Sequence, residues 1–307
     1  MSEPCHVADT AVRSALACAL VILDPNSVQL ADRVAVVTGA AVGIGAATAI
    51  ALARFGADVA ICDRDTANLA KIAAEIKKIG RQVVVGELDV RDRSAVDQFL
   101  PTVESQLGAV DVLVNNAGGG FFAAFAEITD KGQDALVHEN FTSVTNFIRA
   151  TVPRMNDSGG SIINITSIEA HRAGPGFAVY SAMKAAVVSL TKSLALELGP
   201  QMIRVNCVAP DVIPTPGIGL DHAVHTPLPV AGHVDDVAGA VIYLAGPLSR
   251  FVTGTTIHVD GGNSAAGGWV RQSNGSYGLG PELVSPDTSK SPGTSKSPDT
   301  SKSQDNS

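Results

Sequence analysis

Tyr180 and Lys184 are the residues whose types and spacing most invite chemistry. Tyr-Ser-Ala-Met-Lys opens a stretch patterned as a helix, and positions four apart share one helical face. An ammonium beside a phenol favours the phenolate, so Lys184 is expected to lower the Tyr180 pKa from about 10 toward the working pH. A depression of about three pH units needs roughly 4 kcal/mol of differential stabilisation. A phenol tuned in this way can act as a general base or a general acid. Ser167 lies thirteen residues earlier, at the end of an apolar run, where its hydroxyl can bond an oxygen on which charge develops. Each has an ordinary reading too. Tyr and Lys four apart are common on solvated helices, and a serine after a strand often caps a loop. The weight rests on their conjunction.

A second cluster precedes them. Thr38-Gly39-Ala40-Ala41-Val42-Gly43-Ile44-Gly45 follows an apolar run and leads into a helical stretch. Glycines there let backbone N–H groups approach a pyrophosphate at a helix N-terminus, where the dipole favours negative charge, although three glycines also serve tight turns. Asp63 ends the next strand, 24 residues after Gly39. A carboxylate at that point accepts hydrogen bonds from adenosine ribose hydroxyls and repels a 2′-phosphate, whereas its plain reading is a cap for the following helix. Arg64 beside it would instead welcome a 2′-phosphate. The balance favours NAD over NADP.

The elements that must position these residues alternate between strand-like and helical patterns from about residue 32 to 262. Strands are expected at 33–38, 57–62, 82–88, 110–114, 160–166, 202–208 and 255–259. Helical patterns cover 66–79, 92–107 and 179–198, the last stopped by Gly199 and Pro200. The expected fold class is α/β, a single Rossmann-type doubly wound parallel sheet of about seven strands with helices on both faces. Three regions follow: an N-terminal extension over 1–30, the α/β domain over 31–265, and a Gly/Ser/Pro-rich tail over 266–307. That tail ends in the repeats SPDTSK, SPGTSK and SPDTSK and is expected to be disordered, because it lacks apolar residues to offset ordering entropy.

Composition narrows the function. A formal charge of −8 without clustered Lys and Arg argues against nucleic-acid and anionic-lipid partners. The four cysteines show neither disulfide-scaffold nor zinc-site spacing, which fits a reducing cytoplasm and no metal. The apolar run at 15–23 is far short of the roughly 20 residues needed to cross a bilayer. No membrane association is expected.

The T-G-x-x-x-G-x-G spacing, with Asn115-Asn116-Ala117-Gly118 after the fourth strand and Tyr180…Lys184, resembles the short-chain dehydrogenase/reductase family across residues 32–262. The resemblance implies a catalytic tetrad of Asn140, Ser167, Tyr180 and Lys184. Asn140 would hold a water of a proton relay, and Lys184 would also bind the nicotinamide ribose. The implied cofactor residues are Thr38, Gly39, Val42, Gly43, Ile44, Gly45, Asp63, Arg64, Asp89 with its neighbour Val90, Asn116, Ala117, Gly118, Tyr180, Lys184, Pro210, Ile213 and Thr215. Asp89 would meet the adenine amine. Val42 stands where NADP-using members often have Lys or Arg, which again favours NAD.

One position departs from the family pattern. Asn206-Cys207-Val208-Ala209-Pro210-Asp211 has Asp where Gly is usual, which places a carboxylate near the expected nicotinamide. Phe121, Phe122, Glu169, His171 and the segment 212–229 are expected to meet a small-molecule substrate, His171 as a pocket wall. The sequence looks like bacterial hydroxysteroid dehydrogenases and nearly as much like 3-oxoacyl thioester reductases. The first implies NAD-linked oxidation of a secondary alcohol, the second NADPH. A cofactor-binding regulator without turnover is the rival from another class, and family analogy implies a homotetramer built through the helices carrying Asn140 and Tyr180.

Overall fold

Runs of Val, Ile and Ala supply strands buried on both faces, the pattern a parallel sheet needs when helices cover it. In the computed structural model, which describes residues 24–219, 226–272 and 274–279, these strands are β1 (Val34–Thr38), β2 (Asp58–Asp63), β3 (Val83–Glu87), β4 (Val112–Asn115), β5 (Gly160–Ile165), β6 (Ile203–Pro210) and β7 (Thr256–Val259). They form one parallel sheet in the order β3-β2-β1-β4-β5-β6-β7. Strand order reverses between β1 and β4, and a doubly wound sheet opens its ligand crevice at the carboxyl ends of such strands.

The helices are α1 (Gly43–Arg54), α2 (Thr66–Ile79), α3 (Arg93–Leu107), α4 (Asp130–Val137), α5 (Ser143–Thr151), α6 (Ala178–Glu197), α7 (Val234–Ala245) and the short α8 (Asn263–Ala266). Local chemistry sets their ends. Asp65 accepts from the Asn68 N–H at the start of α2, Asp92 accepts from Ser94 and Ala95 at the start of α3, and Gly80 ends α2 with φ of 91°. One core lies between the sheet and α1, α2 and α7, built from Leu52, Ile61, Leu69, Val241 and their neighbours. The other lies under α3, α5 and α6, around Phe99, Leu113, Phe147 and Val187. Leu30 joins the first core from the segment ahead of β1, so the N-terminal extension contributes packing at its last residue.

A chain of buried polar side chains fixes α6 over the middle of the sheet. Asn115 Nδ2 donates to Asn164 Oδ1 at 2.8 Å, and Asn164 Nδ2 donates to Thr191 Oγ1 at 2.9 Å. Strands β4 and β5 are thereby tied to the helix that carries Tyr180 and Lys184.

Among the described residues, 268–272 and 274–279 belong to a second unit. Within it β8 (Trp269–Arg271) pairs antiparallel with β9 (Tyr277–Leu279), which corrects the expectation of disorder for this part of 266–307. Trp, Val and Tyr are strong strand formers, and Gly275, with φ of 84°, sits in the connecting turn. The SPDTSK repeats, residues 1–23 and residues 220–225 lie outside the described residues.

Candidate active site

Three elements deliver the tetrad to one place. Ser167 follows β5, Tyr180 and Lys184 share the first turns of α6, and Asn140 sits in a π-helical turn (His138–Thr142) between α4 and α5. The helix expected around Asn140 is thus interrupted there, and single π turns recur at functional sites because they turn one side chain out of the regular ladder.

The glycines of the segment after β4 make this convergence possible. A Cβ on Gly118 would lie 2.8 Å from Asn140 Oδ1 and 2.9 Å from Lys184 Nζ, and one on Gly120 would lie 3.2 Å from the Tyr180 ring. Asn140 is fully buried and locked. Its Nδ2 donates to the carbonyls of Gly119 (2.8 Å) and Leu136 (2.9 Å), while its Oδ1 accepts from the Gly119 N–H at 3.1 Å.

Ser167 Oγ accepts from the Glu169 N–H at 3.2 Å and lies close enough to the Tyr180 phenol to act on its pKa. Lys184 Nζ lies 5.6 Å from the Tyr180 ring centroid and donates to the Ile165 carbonyl at 3.0 Å. Burial pushes Lys184 down to about 8, opposed by the nearby Cys207 and Glu139. Burial also raises Tyr180 above the ordinary tyrosine range, the Ser167 hydrogen bond pulls it back, and the Glu169 carboxylate adds to the rise. The expected depression of the phenol is therefore not produced by the protein's own groups. Desolvation, which a sequence does not display, is the largest influence on the phenol.

The glycine turn fits a dinucleotide. Gly39 and Gly43 have φ of 65° and 61°, and a Cβ on Gly45 would meet the Gly39 carbonyl oxygen at 2.1 Å. No side chain caps α1, so its leading N–H groups are open to an anion. Asp63 borders the turn. Its Oδ2 accepts from the Ala41 N–H and its Oδ1 from the Asp65 N–H, both at 3.0 Å, and each oxygen retains a lone pair for a ribose hydroxyl. Beside it, Asp89 receives Arg91 through both carboxylate oxygens, and these hydrogen bonds hold its carboxyl below the usual range. Arg64, 64% exposed, lies 3.9 Å from Glu139. Thr215 folds back over the turn, its methyl 3.1 Å from where a Gly43 Cβ would stand. Ile213 beside it is buried, and Pro210 ends β6 opposite Val259. Val42 and Ile44 flank Gly43, Val42 being exposed. When bound, an oxidised nicotinamide accepts hydride and adds a positive charge that would favour the Tyr180 phenolate.

Several residues expected to touch cofactor or substrate act as braces. Thr38 Oγ1 accepts from the Asn116 and Ala117 N–H groups at 3.0 Å each, and Asn116 Nδ2 donates to the carbonyls of Thr38 and Gly39 at 3.0 Å each. Both side chains join the two loops, and Val90 is packed in the core. His171 stacks edge to face on His258 of β7 with centroids 4.5 Å apart, and burial lowers its pKa. Phe121 and Phe122 are exposed, Phe122 at 76%. Phe122 meets Phe177 at 5.7 Å and Phe177 meets Tyr180 at 6.3 Å, so an aromatic row leads to the phenol. Phe177, Arg91 and Arg172 were not legible as site residues. Their placement depends on loop closure, although an aromatic three residues before Tyr180 was a usable signal.

Asp211 is 8% exposed, and its Oδ2 accepts from Asn263 Nδ2 at 2.6 Å. Only Asp32 and Met202 among the described non-glycine residues have left-handed φ, so Asp replaces the family glycine without that strain. A cavity of about 640 Å³ opens between α1 and α7, from Gly43 and Thr215 to Arg54 and Phe55. Tyr180 and Ser167 do not line it, and the chemistry lies elsewhere.

The comparisons agree with this arrangement. The family profile described as enoyl-(acyl carrier protein) reductase matches residues 39–264. The 3-oxoacyl-[acyl-carrier-protein] reductase FabG of Thermotoga maritima is 36% identical over 76% of this chain and 98% of its own length. A 7α-hydroxysteroid dehydrogenase complexed with NADH and 7-oxo glycochenodeoxycholic acid superposes with a TM-score of 0.75 at 30% identity, over 78% of this chain and 98% of that one. A blue fluorescent protein from a metagenomic library, in complex with NADPH, superposes with a TM-score of 0.73 at 36% identity, over 76% of this chain and 98% of that one. The chain belongs to the short-chain dehydrogenase/reductase family and is an oxidoreductase acting on CH–OH groups with a nicotinamide cofactor. Among the described residues no helix is long and apolar enough to cross a membrane.

Proposed function

We propose that this chain interconverts a secondary alcohol and a ketone with NAD(H), using Tyr180 as general base in oxidation and general acid in reduction. The observation that carries the reading is the convergence of Lys184, Asn140 and Tyr180 around the glycines after β4, with Ser167 acting on the same phenol. Ser167 holds the substrate oxygen, Tyr180 takes its proton, and Lys184 orients the cofactor ribose. The carboxylate of Asp63 beside the glycine turn supports NAD. The aromatic row from Phe122 to Tyr180 supports a hydrophobic alcohol, a steroid among the candidates.

Arg64 favours a second reading, an NADPH-dependent 3-oxoacyl thioester reductase, as the FabG relative is named. Fluorescence titration with NADH and NADPH, on wild type and Asp63→Ala, separates the two. Tighter NADH binding that weakens in the variant supports the first, and preference for NADPH supports the second. Ordinary binding without turnover across a broad alcohol and ketone panel would favour a regulator.

A cytoplasmic location is part of the proposal, supported by the free, buried Cys62 and Cys207. So is a homotetramer, supported by Leu196 standing 81% exposed on α6. Light scattering showing a monomer would remove the tetramer.

A further inference from the structure

A charged chain runs from the substituted family position to the reacting hydroxyls. Asn263 on α8 holds Asp211 Oδ2, and Asp211 Oδ1 lies 3.6 Å from Arg172 Nη2. Arg172 donates to Glu169 Oε1 through Nη2 at 2.8 Å and Nε at 3.2 Å. Glu169 in turn donates its backbone N–H to Ser167 Oγ. The other Glu169 oxygen, Oε2, is buried without a hydrogen-bond partner. A carboxylate so poorly solvated projects its charge farther than an exposed one.

We propose that Arg172 is a positioning residue of the reaction: held between Glu169 and Asp211, it fixes the Glu169 carboxylate beside the Ser167–Tyr180 pair and offsets its charge. Asp211, in place of the family glycine, supplies the second anchor of that arginine and joins the loop after β6 to the loop after β5. The inference rests on the reading of Tyr180 as the acid/base group.

Among the described residues, few groups bear on the Tyr180 hydroxyl. Lys184 comes from its own helix, Ser167 and Glu169 from the loop after β5 with Arg172 behind them, and Glu139 and Cys207 act through Lys184. Variants of Arg172 and Glu169 leave the rest in place, so differences between them isolate this pair.

The chain has three tyrosines, Tyr180, Tyr243 and Tyr277, so each ring carbon bearing oxygen is separable by NMR after ¹³C labelling, with Tyr180→Phe giving the assignment. The midpoint of Tyr180 is read with and without NAD, and no substrate is needed. Glu169→Gln is expected to move it to lower pH by a few tenths of a pH unit or more, Arg172→Met to higher pH by a similar amount, and the double variant back past wild type to the Glu169→Gln position. Arg172→Lys keeps the cation and should leave the midpoint near wild type. A merely structural arginine would not give opposite shifts that collapse in the double variant. Midpoints that do not move, or that move the same way in both single variants, overturn the proposal. If Arg172→Met does not fold, Glu169→Gln alone decides, since an unmoved midpoint there removes the carboxylate's influence. Absence of turnover in wild type would sink the proposed function while leaving this titration readable.

Discussion

Lys184 donates to the carbonyl of Ile165, so the ammonium beside Tyr180 is anchored on the strand that delivers Ser167. Helix α6 and strand β5 therefore place acid, base and cation as one rigid unit. Both sides are tied again deeper in the sheet by Asn164 and Thr191. The glycines after β4 supply the space that this unit fills.

Burial of Lys184 gives stability a sign that can be read with pH. Its folded pKa is about 8, against 10.5 for an ordinary lysine. Between those values the unfolded chain binds more protons, so this group makes stability rise with pH across that window and adds a constant penalty below it. Cys207, pushed up to about 11 from 9, acts in the opposite sense above pH 9 and itself feels Lys184, so the comparison is read most directly from pH 8 to 9. Denaturant unfolding should show wild type gaining on Lys184→Met as pH rises from 8 toward 10. A constant gap would contradict the buried, proton-losing lysine.

Gly45 tests the cofactor turn. A methyl at this position would stand 2.1 Å from the Gly39 oxygen and 2.4 Å from Asn116 Nδ2, so the turn must open. Gly45→Ala is expected to weaken NADH binding at least tenfold, about 1.4 kcal/mol, by fluorescence titration. Gly80→Ala meets no atom within 4 Å, although φ of 91° strains it, and serves as the comparison that should lose stability and keep binding.

The buried amide chain should matter for stability. Asn164→Ala removes the acceptor of Asn115 Nδ2 and one of the donors to Thr191 Oγ1, which keeps Cys207 Sγ, in a buried interior. The expected cost is about 2–4 kcal/mol of unfolding free energy by denaturant titration. A loss below 0.5 kcal/mol, on the order of a surface change, would mean that α6 is held by apolar packing alone.

Much of the scaffold was legible because local patterns and tertiary demands agree. The Val/Ile runs of β1, β2 and β5 read as buried strands, and Gly199 and Pro200 stop α6 where they should. Asn140 read as helical because one extra residue in a π turn leaves the apolar period almost unchanged. The motif that pointed to Thr38 and Asn116 fixes the backbone path and not which way a side chain turns. Arg172 was invisible, since its meaning depends on Asp211, 39 residues away in sequence. The rise of the Tyr180 pKa came from burial, which spacing along a helix does not reveal.

The central claim is tested most directly by following reduction of NAD during incubation with a panel of apolar secondary alcohols, steroids included, for wild type and Tyr180→Phe. The account predicts turnover by wild type and loss of about 10²–10⁴-fold in kcat in the variant, which still binds NADH. Equal turnover by Tyr180→Phe, or none by wild type on any alcohol and none in reverse on the matching ketones, would contradict it.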